Sequence, residues 1–435
     1  MKKIIILTAA ILCFTHSSFS QTKMNIATSS LPLQQVKPEM AGVSSERLKR
    51  LDNNIMQWVN DGHTTGAVAL IVRNGKIVYN KAFGYDDLEK TKPMRTDNIF
   101  RIASQTKAIT SVAVMMLYEE GKFLLDDAVS RYIPEFAKQQ VLDSFIAKDS
   151  SYTTVPAKSE ITIRQLLTHT SGVGYAQIGS KEANAIFAKG SISSGIGVEQ
   201  GRLLATDIKK LGKLPLMHQP GERFTYGLNT DVLGYLVEVT SGVSLDQFFG
   251  TRIFEPLGMN DTYFYLPPSK HNRLVTLYEE EKGKLQKASP EIRHNGIFIT
   301  DYPKTAGTYF SGGAGLSSTA LDYAVFLQMM LNGGEVNGKR LLSRNTVRMM
   351  TMNQIGHINR GDNKFGLGFG ITTEKGSSVL PTPEGVCEWG GAFATTYWAD
   401  PKEKLIGIIY RQLWGTTHRE APSKFKVLVY QALND

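Results

Sequence analysis

The chain has 435 residues, of which 42% are hydrophobic, 20% charged and 9% aromatic, an ordinary globular balance that excludes a disordered or fibrous protein. The formal net charge is +9, but Lys and Arg are interleaved with Asp and Glu, as in residues 44–54 and 278–287, so no basic stripe points to nucleic acid. Two cysteines cannot make a disulfide framework, and none of the eight histidines stands in a zinc-binding spacing, so no metal site is expected.

Lys2 and Lys3 precede an apolar run from Ile4 to Phe14, and Ser18-Phe19-Ser20 offers small residues before Gln21. Residues 1–20 therefore read as a secretory signal peptide, with an apolar run too short to span a bilayer. Leu12 stands before Cys13 where a lipid-anchor signal wants a small residue, so no lipid anchor is expected. Cleavage would remove Cys13 and two lysines, leaving Cys387 alone and a net charge of about +7, from 9 − 2. The expected product is exported, to the periplasm or beyond, with no stable membrane insertion. Residues 21–40, polar and proline-bearing, read as a flexible leader.

From Ser44 to Asn60 the apolar positions Leu48, Leu51, Ile55 and Trp58 recur at helical spacing. Residues 66–85 then read as a β-hairpin about Asn74-Gly75. Residues 85–103 look irregular, and a nearly uncharged helix is predicted from Ser104 to Gly121. The region from about 122 to 310 reads as mainly helical: a short helix ending at Gly172, another ending at Gly242, and one capped by Ser244 that stops near Pro256. A capped helix beginning near Ser318 ends at Gly333-Gly334. Strands return near 386–412, and a short helix closes the chain. Helices between terminal strands indicate an α+β fold, one catalytic domain over 41–432, with the first hairpin and the last strands in one antiparallel sheet.

Ser104-Gln105-Thr106-Lys107 puts a serine three residues before a lysine at the start of the buried helix. Positions i and i+3 share a helix face. Burial and the positive helix N-terminus disfavour a charged amine there, which can then accept a proton from serine. The pattern alone is weak, for it recurs at Ser423–Lys426, where a charged segment reads as a surface helix cap. His169 and His218 suggest no triad, because no Gly-x-Ser-x-Gly elbow occurs. His169 reads as a loop anchor, and Asp231 and Asp322 as carboxylates that stabilise helix starts.

Residues 104–136, 161–172, 220–242, 311–331 and 388–401 together resemble, in order, segments of the serine β-lactamase and penicillin-binding-protein superfamily. The match is to its class C branch, and in motif pattern to family VIII-type esterases. The resemblance implies a serine β-lactamase/transpeptidase-like fold and an acyl-enzyme mechanism without a cofactor. Ser104 would be the nucleophile, Lys107 its base and Tyr226 a second acid/base. The backbone N–H groups of Ser104 and Ala392 would form the oxyanion hole. Trp389, Gly390, Gly391 and Asn229 would contact substrate.

Two departures matter. Relatives carry Tyr-x-Asn, whereas here Asn229 falls one position late after Tyr226-Gly227-Leu228. Relatives that act on β-lactams place lysine or histidine where Trp389 opens Trp389-Gly390-Gly391. A flat apolar ring suits a neutral ester or amide better than an anionic antibiotic, and Gly390 and Gly391 would let the strand approach substrate. The expected activity is a serine hydrolase or acyltransferase on small ester or amide substrates. The alternatives are a β-lactamase or D-amino-acid peptidase on cell-wall peptides, and a catalytically silent envelope binding protein. Residues 176–215 are expected to form a flexible wall of the cleft.

Overall fold

The fold is built on one sheet, seen in a computed structural model that describes residues 33–293 and 296–435. The expected signal peptide and most of the leader lie outside the described residues. The sheet contains β1 (Gln34–Gln35), β2 (Gly66–Arg73), β3 (Lys76–Gly84), β4 (Lys364–Phe365), β5 (Gly370–Ile371), β6 (Cys387–Gly391), β7 (Thr395–Asp400) and β8 (Leu405–Tyr410), in the spatial order β1-β3-β2-β8-β7-β6-β5-β4. The turn between β2 and β3 holds Asn74 at φ 52° and Gly75 at φ 71°, the left-handed pair that an Asn-Gly hairpin needs. β2 then pairs antiparallel with β8, from Val68 opposite Tyr410 to Arg73 opposite Leu405. The two ends of the chain thus meet in one sheet, as their strand patterns predict.

All eight residues of β2 are buried, because both faces of the sheet are covered. Ala67, Ala69 and Ile71 pack with Leu48, Leu51, Ile55 and Trp58 of α1 (Ser45–Asn60) and with Phe425 and Val429 near the C-terminus. Val68, Leu70 and Val72 pack on the opposite face, against α2 (Thr106–Glu119) and the helices behind it. Among those are α3 (Ile163–Leu167), α4 (Lys181–Lys189), α5 (Leu204–Leu211), α6 (Asn229–Ser241) and α7 (Ala320–Leu331), whereas α8 (Ala421–Tyr430), which carries Phe425 and Val429, lies beside α1. From Thr106 to Leu117 every residue of α2 is buried, as its uncharged sequence requires. Gly121, at φ 71°, follows its end.

Three expectations need correction. The end of the expected leader is ordered: β1 pairs in parallel with β3, and Leu33 is buried. The region 122–310 carries several β-elements besides its helices. Gln140–Ile146 pairs with Ser151–Pro156, Tyr278–Glu281 pairs with Lys284–Lys287 and with Leu413–Trp414, and Glu291–Arg293 pairs with Ile297–Ile299. These strands are short, polar and largely exposed, so they lack the apolar alternation that marks a half-buried strand. Finally, α3 stops at Leu167 rather than near Gly172, and His169 takes φ 56° in the loop that follows.

Candidate active site

Ser104 is held by a buried scaffold on its N-terminal side. Phe100–Arg101 pairs with Ser317–Ser318, and Ile102 N–H donates to the Leu316 carbonyl at 3.0 Å. The Arg101 side chain is fully buried, donating to the carbonyls of Thr300 (2.7 Å) and Val275 (2.8 Å) and pairing with Asp301 at 2.9 Å. Ala103 follows with φ 44°, a left-handed conformation that costs a residue with a Cβ and persists only where the surroundings impose it. A tight turn over Ala103–Gln105 then feeds α2, so Ser104 stands at the helix start. Gln105 locks that turn from behind, accepting from Tyr323 O–H at its carbonyl (2.9 Å) and from Tyr410 O–H at Oε1 (2.7 Å).

Lys107 and Tyr226 converge on Ser104. Tyr226 O–H lies 2.7 Å from Ser104 Oγ, and Lys107 Nζ lies 3.4 Å from the same atom. The lysine is buried and donates its shortest bond, 2.7 Å, to the Gly313 carbonyl. Its Nζ also sits 4.7 Å from the Tyr226 ring centre and 5.8 Å from that of Tyr175. Tyr175 stacks on Tyr226 at 5.8 Å, and burial pushes its hydroxyl pKa well up. The sequence reading did not single it out. Behind the lysine, Asp231 is completely buried. It accepts from Ser311 O–H at 2.6 Å and from Gly313 N–H at 3.4 Å, while its Oδ2 has no partner among the described residues. Burial raises its carboxyl to about 6, against the pull of Lys107.

β6 forms the facing wall. Trp389 lies 5.6 Å from Tyr226, ring to ring, and Ala392 lines the same cleft as Ser104. Gly391 is required for a reason other than the expected one. A Cβ there would strike the Ile102 carbonyl and Thr395 Oγ1, so the close approach is to the turn before the nucleophile. Gly390 has more room, its nearest neighbour being the Thr395 carbonyl at 3.3 Å from a Cβ. The cleft has a volume of about 550 Å³. A second cavity of about 490 Å³ lies on the other side of Tyr226, and Ile178 lines both. From residues 176–215, Ile178 reaches the cleft, whereas α4 contributes Glu182 and Ala183 to the second cavity.

Asn229 is not in the cleft. It is fully buried at the start of α6, donating from Nδ2 to His169 Nδ1 (3.0 Å) and the Val173 carbonyl (3.3 Å) and accepting from Ser171 O–H. It fastens the loop after α3. One residue of delay after Tyr226 turns the amide inward, away from any substrate. His169 lies in that same loop, where burial and the charges of Lys107 and Arg360 hold its pKa well below 6.5. His218 bonds Thr225 Oγ1 at 2.8 Å, so both histidines are structural.

The reading of Ser423–Lys426 as a surface cap fails. α8 begins at Ala421 with no side-chain cap, and Lys426 is buried on the cleft wall, paired with Glu388 of β6. Arg360 is a second cation on that wall. Neither carries a local sequence signal, since both come from segments remote from the nucleophile. Among the described residues, no group of three or more His, Cys, Asp and Glu side chains could hold a metal ion, and no helix is long and apolar enough to cross a membrane.

Comparison with known proteins agrees with this geometry. The family model described as Beta-lactamase matches residues 48–430. Esterase EstB of Burkholderia gladioli is 30% identical over 85% of this chain and 90% of the esterase. A putative D-alanyl-D-alanine carboxypeptidase of Escherichia coli K12 is also 30% identical, over 82% of this chain and 81% of its own. In structure, EstCE1, described as a hydrolase with promiscuous acyltransferase activity, superposes with a TM-score of 0.77 at 26% identity, covering 88% of this chain and 98% of its own.

Proposed function

The chain belongs to the beta-lactamase family of serine hydrolases, and from that premise we propose that it is an exported esterase or acyltransferase working through a Ser104 acyl-enzyme. The observation that carries the reading is the pair of contacts on Ser104 Oγ, 2.7 Å from Tyr226 O–H and 3.4 Å from Lys107 Nζ. Oγ attacks the ester carbonyl, and its proton passes to the Tyr226–Lys107 pair. The tetrahedral oxyanion is received by the backbone N–H groups of Ser104 and Ala392, where the start of α2 adds its positive field. Tyr226, nearest the reacting oxygen, returns a proton to the departing alkoxide. Water or a second alcohol then attacks the acyl group, with the same pair taking its proton. Every step uses groups already positioned, and none calls for a cofactor.

Trp389 favours esters over β-lactams, since indole brings no charge to the place where related enzymes hold a carboxylate. A second reading, a peptidase or β-lactamase acting on cell-wall peptides, draws support from the carboxypeptidase-like relative and from the cations Arg360 and Lys426 in the cleft. The test uses protein lacking residues 1–20, wild type beside Ser104→Ala, with p-nitrophenyl butyrate and with nitrocefin. Ester turnover and a Ser104 adduct seen by mass, both absent in the variant, with little nitrocefin cleavage, are expected. Dominant nitrocefin hydrolysis would favour the second reading. Absence of any Ser104-dependent adduct would leave a silent binding protein. Export is tested separately, by the mature N-terminus of the secreted product.

A further inference from the structure

Arg360 is a cation on the cleft wall that pairs with no anion among the described residues. Its guanidinium carbon sits 5.2 Å from the Trp389 ring centre, 5.2 Å from Phe365 and 5.4 Å from Phe224. Nη1 donates to the Lys364 carbonyl at 3.0 Å, and among the described residues no carboxylate pairs with it. Glu388 is the carboxylate whose charge it feels, but Glu388 is bound to Lys426. Arginine carries five N–H donors in a planar fork and does not give up its charge. Half-burying such a group without a counter-ion costs free energy, and burial does pull its pKa below 12.5. Stacking on three rings offsets part of that cost. Stacking alone, though, would be served by an arginine that pointed its fork at solvent or at an acid. This one lines the same cleft as Ser104.

Its position relative to the reacting groups is informative. Trp389 has Tyr226 at 5.6 Å and Arg360 at 5.2 Å as neighbours. Ser104, Tyr226, Trp389 and Arg360 all line this one cleft, so a substrate bonded to Ser104 and lying along the indole can bring a distal group to the guanidinium. The positive charge absent at the Trp389 position is present beside its ring, on a different segment of the chain. A fork of N–H donors matches a carboxylate through two parallel hydrogen bonds.

We propose that Arg360 is the receptor for a free carboxylate on the substrate, so that the preferred substrates are half-esters, an ester with a second and ionised carboxyl group. This rests on the esterase reading for its chemistry, but its binding step can be measured without turnover. Ser104→Ala protein would be titrated by calorimetry with monoethyl glutarate and with diethyl glutarate, its uncharged counterpart. The expected result is at least about tenfold tighter binding of the half-ester, an advantage removed by adding Arg360→Gln and partly kept by Arg360→Lys. Equal affinity for the two ligands, no binding of the half-ester, or an advantage that survives Arg360→Gln would overturn the proposal. Far-UV circular dichroism and the melting temperature of each variant guard against misfolding, and the two-ligand comparison in the Ser104→Ala background needs no arginine variant at all. Failure of the esterase reading would appear elsewhere, as absence of Ser104-dependent ester turnover, and would leave this binding result standing.

Discussion

Tyr226 O–H lies 0.7 Å closer to Ser104 Oγ than Lys107 Nζ does, at 2.7 against 3.4 Å, while the lysine spends its shorter bond on the Gly313 carbonyl. The tyrosine is thus the group in immediate contact with the reacting oxygen, and the lysine supports both from beneath the ring. Tyr226→Phe should lower kcat by about 10²–10⁴-fold, the usual worth of a positioned acid/base. It should change KM and melting temperature little, because the ring keeps its stacking on Tyr175 and Trp389. Stopped-flow release of p-nitrophenol reads this directly. A loss below tenfold would assign proton transfer to Lys107 alone.

Asn229 tests whether the loop after α3 supports the site. Its buried amide makes bonds to His169, Ser171 and Val173 that no solvent can replace. Asn229→Ala should destabilise the protein by about 1–3 kcal/mol, the cost of stranding buried polar partners. Because the His169 ring lies 4.9 Å from that of Tyr226, the loosened loop should also lower kcat. Were Asn229 a substrate contact instead, the variant would raise KM and leave chemical denaturation unchanged.

Gly391→Ala should separate position from identity at the end of β6. A methyl group there meets the Ile102 carbonyl and Thr395 Oγ1, so β6 must move away from the turn that carries Ser104. Ala392 would be carried with it, and its N–H with the oxyanion it is proposed to bind. Removing one oxyanion donor costs about 10²–10³-fold in other hydrolases, and a comparable drop in kcat is expected. Gly390→Ala, with its nearest contact at 3.3 Å, should lose far less. Equal losses at the two positions would contradict this account.

The parts of the molecule that were legible in sequence are those where local pattern and tertiary context agree. Asn74-Gly75 needs two left-handed residues and has the two types that tolerate them. The segment 106–117 has almost no charge and is buried on every side. Ser104, Lys107 and Tyr226 stand in segments whose motifs are readable one by one, and the fold brings the three side chains together. Lys426 and Arg360 escaped for the opposite reason. The partner of Lys426, Glu388, is 38 residues away and meets it only once α8 packs over the sheet. Arg360 is defined by three rings from three segments. Asn229 misled because spacing along a strand or loop says nothing of where the first turn of a helix will point an amide.

Asp231 supplies a prediction about pH. Its carboxyl rises from 3.8 to about 6 in the folded protein because burial penalises the charged form, and among the described residues Oδ2 has no hydrogen-bond donor to soften that penalty. The native state therefore holds this proton over a range in which the unfolded chain has released it. The contribution to stability is complete below the unfolded value near 3.8, falls as pH rises, and is gone above about 6. The loss amounts to about 3 kcal/mol across that window. Asp231→Asn removes the titration while keeping an acceptor for Ser311 O–H, so its advantage over wild type should grow between about pH 4 and pH 7. Asp322, raised to about 6 by the same cause, will leave some slope in the variant. Urea unfolding at several pH values makes the comparison. Parallel stability curves for the two proteins would mean that Asp231 is ionised in the native state across this range, and would overturn the prediction.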